Sequence, residues 1–302
     1  MIVVVGSINM DLVIRVPRFP EAGETLLGGD LAQYSGGKGA NQAVAAARAG
    51  GAVAMVGRVG GDAFGPVLRD RLAAEAIDVG SVETVSGPSG VAVITVDQAA
   101  RNSIVVSPGA NNALTPDGLA ASLFEGATAV LLQLEIPLET VLAAARMGRA
   151  AGARTLLNLA PARALAPEQL ADIDVLLVNE TEAASLTGLT AEAVAADPEA
   201  AVGQLAAQVP AAVLTLGAAG ACWAEDGKVG RVPGFSVEAV DTTAAGDSFV
   251  GALSVALGEG MALSDAVRFG NAAGALAATR VGAQPAIPKR VEIEAFLAER
   301  SA

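Results

Sequence analysis

The sequence predicts a doubly wound α/β fold, a mostly parallel sheet with helices on both faces, to which a small β-sheet lid is attached. Three observations lead there. A short apolar run, Ile2–Val5, stops at Gly6, as a buried parallel strand does when it delivers a loop at its C-terminal edge. Beyond residue 110, apolar strand-like runs alternate with helix-like runs, which places helices over both faces of parallel strands. Two β-rich patches, at 12–35 and 91–107, interrupt that pattern and are expected to pair as the lid.

Each element has its own signal. Asn9 and Asp11 are expected in the loop after the first strand, and Pro17, Pro20, Gly23, Gly28 and Gly29 break the following stretch into short pieces. Gly36-Gly37-Lys38-Gly39 opens a helix through Ala49, and Gly50-Gly51 ends it before a strand at 53–56. Phe64, Val67, Leu68 and Leu72 have helical spacing. The runs 91–96 and 103–107 flank a polar turn at 97–102 and form a hairpin. Strands are then expected at 129–134, 154–159, 174–178 and 212–216, with a helix at 138–151. Asp226-Gly227 is a hairpin turn between 220–224 and 229–232, and the chain after Val240 is mostly helical, with breaks near Gly258 and at 282–288. No internal repeat or linker divides it, so 1–302 is expected to be a single domain with a discontinuous lid.

Composition narrows the chemistry. Hydrophobic residues make up 52% and charged residues 17%, ample for a large core. A net charge of −13 argues against nucleic acid or an anionic membrane as partner. Cys222 is the only cysteine, so neither an intrachain disulfide nor a thiolate metal cluster is expected, and a cytoplasmic location follows from that and from the absence of a leader-like start. Histidine is absent, which removes Ser-His-Asp and Cys-His schemes and leaves carboxylates as general bases near neutral pH.

The run Asp241-Thr242-Thr243-Ala244-Ala245-Gly246-Asp247-Ser248-Phe249 stands just before a helix. Small residues there let backbone N–H groups at a helix N-terminus approach a phosphate closely. A carboxylate repels such a ligand, so Asp247 suggests a base that must sit where a hydroxyl attacks phosphorus. Helix capping is the alternative reading of Asp247. Asn9 and Asn41 read alone are equally turn or cap residues, Lys38 a solvated charge at a helix start, and Thr181 followed by an acidic residue a helix start.

Here a resemblance becomes specific. The stretch 241–253 looks like the C-terminal signature of the PfkB/ribokinase carbohydrate kinase family, and Gly36 to Ala43 with the Gly-rich 51–62 is similar to its N-terminal signature. Further matches at 6–11, 133–135, 179–182 and 282–285 extend the similarity over the chain and point to the ribokinase branch, in which DTxAAGD is frequent. The resemblance implies ATP-dependent phosphorylation of D-ribose at its 5-hydroxyl. Deoxyribose, fructose or a nucleoside as acceptor, or a non-catalytic sugar-binding regulator, are the alternatives.

Site residues follow from the same resemblance. Asn9, Met10, Asp11, Gly37, Lys38, Gly39, Ala40, Asn41 and Glu135 are implied around the sugar. Asp247 takes its proton, and Ala244, Ala245 and Gly246 supply the anion hole. Asn179, Glu182, Thr215, Leu216, Gly217, Ala218, Ala219, Gly220, Gly246 and Asn271 are implied at the nucleotide, with Mg2+ ordered near Asn179 and Glu182. Asn271 falls where some relatives place a histidine near the adenine. Asp241, Thr243, Ala277, Arg280, Gly282 and Ala286 match a loop for activating K+, with Ala286 where the family often has Ser. A homodimer through the lids is also implied.

Overall fold

The computed structural model describes residues 1–99 and 101–300. Ala100, within the turn expected at 97–102, and the last two positions of the expected 1–302 domain lie outside the described residues.

In chain order the strands are β1 (Ile2–Val5), β2 (Asn9–Arg15), β3 (Leu31–Gly36), β4 (Val53–Gly60), β5 (Asp78–Val85), β6 (Gly90–Val96), β7 (Asn102–Ser107), β8 (Ala129–Leu132), β9 (Arg154–Asn158), β10 (Val175–Asn179), β11 (Ala211–Thr215), β12 (Ala221–Glu225) and β13 (Lys228–Val232). The α-helices are α1 (Lys38–Arg48), α2 (Phe64–Ala74), α3 (Leu138–Ala150), α4 (Glu180–Thr187), α5 (Ala191–Ala196), α6 (Pro198–Leu205), α7 (Ala245–Gly258), α8 (Leu263–Ala278) and α9 (Arg290–Glu299).

The large sheet runs β13-β12-β11-β10-β9-β8-β1-β4-β5, parallel from β5 to β11. β12 and β13 are the antiparallel exception, joined through Asp226-Gly227 as their turn chemistry dictates. Alternate strand residues feed two cores: Ile2, Val4, Ala129 and Leu131 face the layer of α1, α2, α7, α8 and α9, whereas Val3, Val5, Val130 and Leu132 face that of α3 to α6. That is the period-2 alternation of a strand covered on both sides, and it makes the expected doubly wound architecture.

The chain leaves β1 for β4 and β5 on one side, then returns to β8 on the other. Strand order therefore reverses at β1, and the crevice at the C-terminal ends of β1 and β8 is where such sheets bind ligands.

The small sheet has the order β3-β2-β6-β7 and begins at Asn9 rather than at residue 12. Asn9 and Asp11, expected in a loop, lie instead on β2, because that strand is paired on both sides, antiparallel to β3 and parallel to β6. Residues 16–30 form no strand. β5, a polar edge strand interrupted by Gly80, gave no clear strand signal in the sequence, and β4 runs to Gly60, beyond the expected 53–56.

Candidate active site

Four successive strands of the large sheet end in polar residues along one edge: Gln133 and Glu135 after β8, Asn158 on β9, Asn179 on β10 and Thr215 on β11. Above them stand the N-termini of α1 and α7 and the first residues of β2.

Gly37 caps α1 at φ +89°, a conformation favoured only by glycine, and this turn delivers Lys38 and Asn41 to the crevice. The Ser7 hydroxyl donates to Glu135 Oε2 at 2.6 Å, the Lys38 N–H donates to the same oxygen at 3.1 Å, and the Gly39 N–H donates to Ser7 Oγ at 3.2 Å. Glu135 is thereby tied to the loop after β1 and to α1 at once. Asn9 is buried, and its Oδ1 accepts a 2.6 Å bond from Asn111, whose own Oδ1 accepts from the Ile8 N–H at 2.9 Å. Asn111 is a residue that sequence reasoning missed. It sits in a short 3-10 turn, Gly109–Ala113, with no local signal for contact with β2.

Asp11 is buried beside Gly36, where a Cβ would come within 2.1 Å of its Oδ2, so this glycine is needed for the carboxylate to fit. Burial, with the charges of Glu135 and Asp247 adding to it, pushes the Asp11 carboxyl up to about 7. Met10 points to the other side of β2 and, with Ala40, packs into the main core, so neither of these two expected sugar residues brings its side chain to the crevice.

Asp247 lies in the first turn of α7, buried at 8% exposure. Its Oδ2 accepts from Asn41 Nδ2 at 3.1 Å and its Oδ1 from Gln42 Nε2 at 3.0 Å. The N–H groups of Gly246 and Asp247 precede the helix's own i→i−4 ladder and are free for an anion, whereas that of Ala245 donates to the Thr242 carbonyl at 3.2 Å. Within the expected 244–247 cradle, the Ala245 N–H is thus already engaged by the backbone.

A cleft of about 110 Å3 joins Lys38, Asn179, Glu182, Thr215, Gly246 and Asp247. Burial alone would lower the Lys38 ammonium, but the fields of Asp247, Glu135 and Glu182 outweigh it and hold the group above the ordinary lysine value. A cation that stays charged here can meet a phosphate despite the net charge of −13. Burial likewise raises Glu182, against the Asn179 N–H and Lys38, which favour its charged form. Asn179 caps α4 in a reciprocal box: its Oδ1 accepts from the Glu182 N–H at 2.9 Å, and Glu182 Oε2 accepts from the Asn179 N–H at 2.8 Å. The helix-start reading of this segment therefore holds, with the cap residues facing the cleft.

Beyond Thr215, Gly217–Ala219 make a 3-10 turn closed by the Leu216 N–H donating to the Gly220 carbonyl at 2.8 Å. Asn271 is on α8, where its amide donates to the carbonyls of Val232 at 3.3 Å and Pro233 at 3.4 Å, securing the chain after β13.

Asp241 gathers the remaining loop. Its Oδ1 accepts from the N–H and hydroxyl of Thr243 at 3.0 and 2.5 Å, and its Oδ2 from the Gly282 N–H at 2.9 Å. Burial alone would raise the Asp241 carboxyl, but these bonds together, with the field of Arg15, outweigh it and hold the group below its ordinary value. Ala277 and Arg280 stand at the end of α8, and Ala286 is fully buried with a methyl that brings no oxygen. Among the described residues no group of three or more His, Cys, Asp or Glu side chains is placed to hold a metal. A cation in this loop would rest on Asp241 and backbone carbonyls, hard oxygen donors that fit a hard monovalent ion. A larger cavity of about 820 Å3, lined by Asp11, Arg15, Tyr34, Asn102, Asp241 and Gly282 among others, lies between this loop and the small sheet.

Residues 1–290 match the family described as pfkB family carbohydrate kinase. The chain belongs to that family. It is 42% identical over 301 residues to a ribokinase of Haemophilus influenzae, covering 97% of both chains, and 40% identical over 300 residues to a ribokinase of Bacillus subtilis, covering 98% of this chain and 99% of that one. Among solved structures, the Arabidopsis thaliana ribokinase complexed with ribose and ATP superimposes with a TM-score of 0.90 at 32% identity, covering 98% of each chain. The structure of this carbohydrate kinase thus brings Asn9, Asp11, Lys38, Asn41, Glu135 and Asp247 to one crevice, and Asn179, Glu182 and Thr215 to the adjoining cleft.

Proposed function

We propose that this kinase transfers the γ-phosphoryl group of ATP to the 5-hydroxyl of D-ribose, giving ribose 5-phosphate and ADP. The observation that carries the reading is Asp247, a buried carboxylate in the first turn of α7, hydrogen-bonded to Asn41 and flanked by Lys38 and free helix N–H groups. Asp11, Asn41 and Glu135 offer acceptors and donors, fixed on rigid elements, for the sugar hydroxyls. Asp247 accepts the proton of the 5-hydroxyl as its oxygen bonds to the γ-phosphorus. The bond from that phosphorus to the bridging oxygen breaks, and its electron pair leaves with ADP. The N–H groups of Gly246 and Asp247, with Lys38, stabilise charge on the phosphoryl group in transit. The near full-length likeness to ribokinases, one of them solved with ribose and ATP, supports both substrates.

Mg2+ carried with the nucleotide supplies charge neutralisation on the phosphates, and Asn179 and Glu182, facing the cleft, are the residues that would order it. K+ in the Asp241 loop would set the position of the α7 N-terminus. Val105 on β7 is 69% exposed, and with Val93 and Leu31, which share its face of the small sheet, it forms an apolar patch that suits pairing of two copies through the small sheets, acting as lids. One unit spanning 1–302 and a reducing, cytoplasmic setting suit a chain whose lone cysteine is buried and in which no described helix is long and apolar enough to cross a membrane.

A coupled ADP-release assay with ribose, 2-deoxyribose, fructose and nucleosides tests the reading. Fastest turnover per active site with ribose is expected. Ribose binding without ADP release would make the chain a sugar-binding protein, and preference for another acceptor would move the substrate within the family.

A further inference from the structure

Gln42 lies one residue after Asn41 on α1 and is fully buried. It uses every polar atom of its side chain. Nε2 donates to Asp247 Oδ1 at 3.0 Å and to Asn158 Oδ1 at 2.9 Å, and Oε1 accepts from Gln133 Nε2 at 2.7 Å. Asn158 is itself oriented, because its Nδ2 donates to the Leu177 carbonyl at 3.3 Å. The amide of Gln42 therefore has one orientation. Reversing it would turn its oxygen onto Asp247 and Asn158 and its N–H groups onto the N–H groups of Gln133. This chain of amides runs from the edges of β8 and β9, in the middle of the large sheet, to one oxygen of Asp247.

We propose that Gln42 is a positioning residue for phosphoryl transfer, locking Asp247 Oδ1 to the sheet edge so that Oδ2, on the Asn41 side, is presented to the acceptor hydroxyl. The inference rests on reading Asp247 as the base. Asn41 does not duplicate the role: its Nδ2 meets the other oxygen, Oδ2, at 3.1 Å, and its own Oδ1 is buried without a partner, whereas Gln42 Oε1 is tied to the edge of the sheet through Gln133. A carboxylate held at one oxygen only by Asn41, a residue also needed by the substrate, would swing about χ2, and a misplacement of ~1 Å at a reacting group slows chemistry about 100-fold.

The test is single-turnover phosphorylation of ribose by Gln42→Met and Gln42→Glu, with ribose and ATP affinities measured alongside. Gln42→Met keeps the length but lacks the donors, and its chemical step should fall by about 10- to 100-fold with both affinities within about threefold. Gln42→Glu keeps the shape and the bond from Gln133, and sets a second carboxylate against Asp247. The acid limb of its rate profile should move up by about one pH unit or more, since two adjoining buried carboxylates share a proton. The charged groups whose fields reach Asp247, Lys38 on α1, Asp11 on β2 and Glu182 on α4, are the same in both variants. A purely structural amide would lower thermal stability in Gln42→Met without slowing the chemical step. A chemical step within twofold of the parent in Gln42→Met, or an unmoved limb in Gln42→Glu, overturns the proposal. Asp247→Asn separates it from the reading beneath: near-normal chemistry there removes the base itself, whereas lost chemistry there with normal Gln42 variants removes only the role of Gln42.

Discussion

Replacing Asp11 by asparagine should make the ligand-free kinase more stable and its grip on ribose weaker. The Asp11 carboxyl titrates at about 7 when folded, against an ordinary 3.8, because it is buried and shares the crevice with Glu135 and Asp247. Between those values the folded chain holds more protons than the unfolded one, so this group makes stability fall as pH rises. Its unfavourable contribution is absent below 3.8 and complete above about 7. At 1.36 kcal/mol per pH unit the full effect is about 4 kcal/mol, and water in the adjoining cavity reduces that to roughly 2 kcal/mol. Asp11→Asn removes the charge while keeping the shape, so its melting temperature should exceed the parent's by about 3–5 °C at pH 8, with the gap closing toward pH 4.5. Ribose affinity should change the other way. A hydrogen bond to a charged partner contributes about 1.5–3 kcal/mol, so the loss should be about 10- to 100-fold, with ATP affinity little changed. Thermal melts across pH 4.5–8 and calorimetric titration with each ligand measure both halves. A melting gap that does not widen with pH would refute the electrostatic reasoning, and unchanged ribose affinity would remove Asp11 from the cradle.

Three further outcomes are expected. Asp247→Asn should slow the chemical step by about 10²–10⁴-fold while ribose and nucleotide affinities change far less, and a folded variant with near-normal single-turnover rates would pass the role of base elsewhere. Potassium should raise turnover above sodium, because Asp241 ties the loop at Gly282 to the segment that leads into α7; equal rates in potassium, sodium and a bulky organic cation would count against a cation site there. Val105→Asp, which puts a charge in place of the most exposed hydrophobic side chain of β7, should shift sedimentation toward the monomer, and an unchanged sedimentation coefficient would place any dimer contact elsewhere.

What could be read from the sequence was what periodicity and turn chemistry encode locally. The run Ile2–Val5, the glycines before α1, the alternation from β8 to β11 and the Asp226-Gly227 hairpin each carry a signal within a few residues, and each forms as expected. β5 did not, since an edge strand exposed on much of its length has no apolar run to show. Asn9 and Asp11 were misplaced in a loop because their strand exists only through pairing with β3 and with β6, the latter some 80 residues away. The site followed the same division. Asp247 stood out as a carboxylate in an anion-binding turn, whereas Asn111, Gln133 and Asn158 are ordinary polar residues whose importance comes from contacts made across the fold. An amide among hydrophobic neighbours in sequence reveals nothing of the partner it meets.

The small sheet grows directly out of the crevice: β2 starts two residues after Ser7, and β3 ends two residues before Lys38. Asn9 and Asp11 are thus at its pivot and Val105 at its rim. A lever moves least at its pivot, so whatever excursions the outer strands make, the groups that would grip the sugar are displaced little. For engineering, this separates two quantities usually entangled in an enzyme with a cover. The rim could be exchanged to alter how large a molecule enters or how subunits pair, while the pattern of hydroxyls recognised would stay with the pivot.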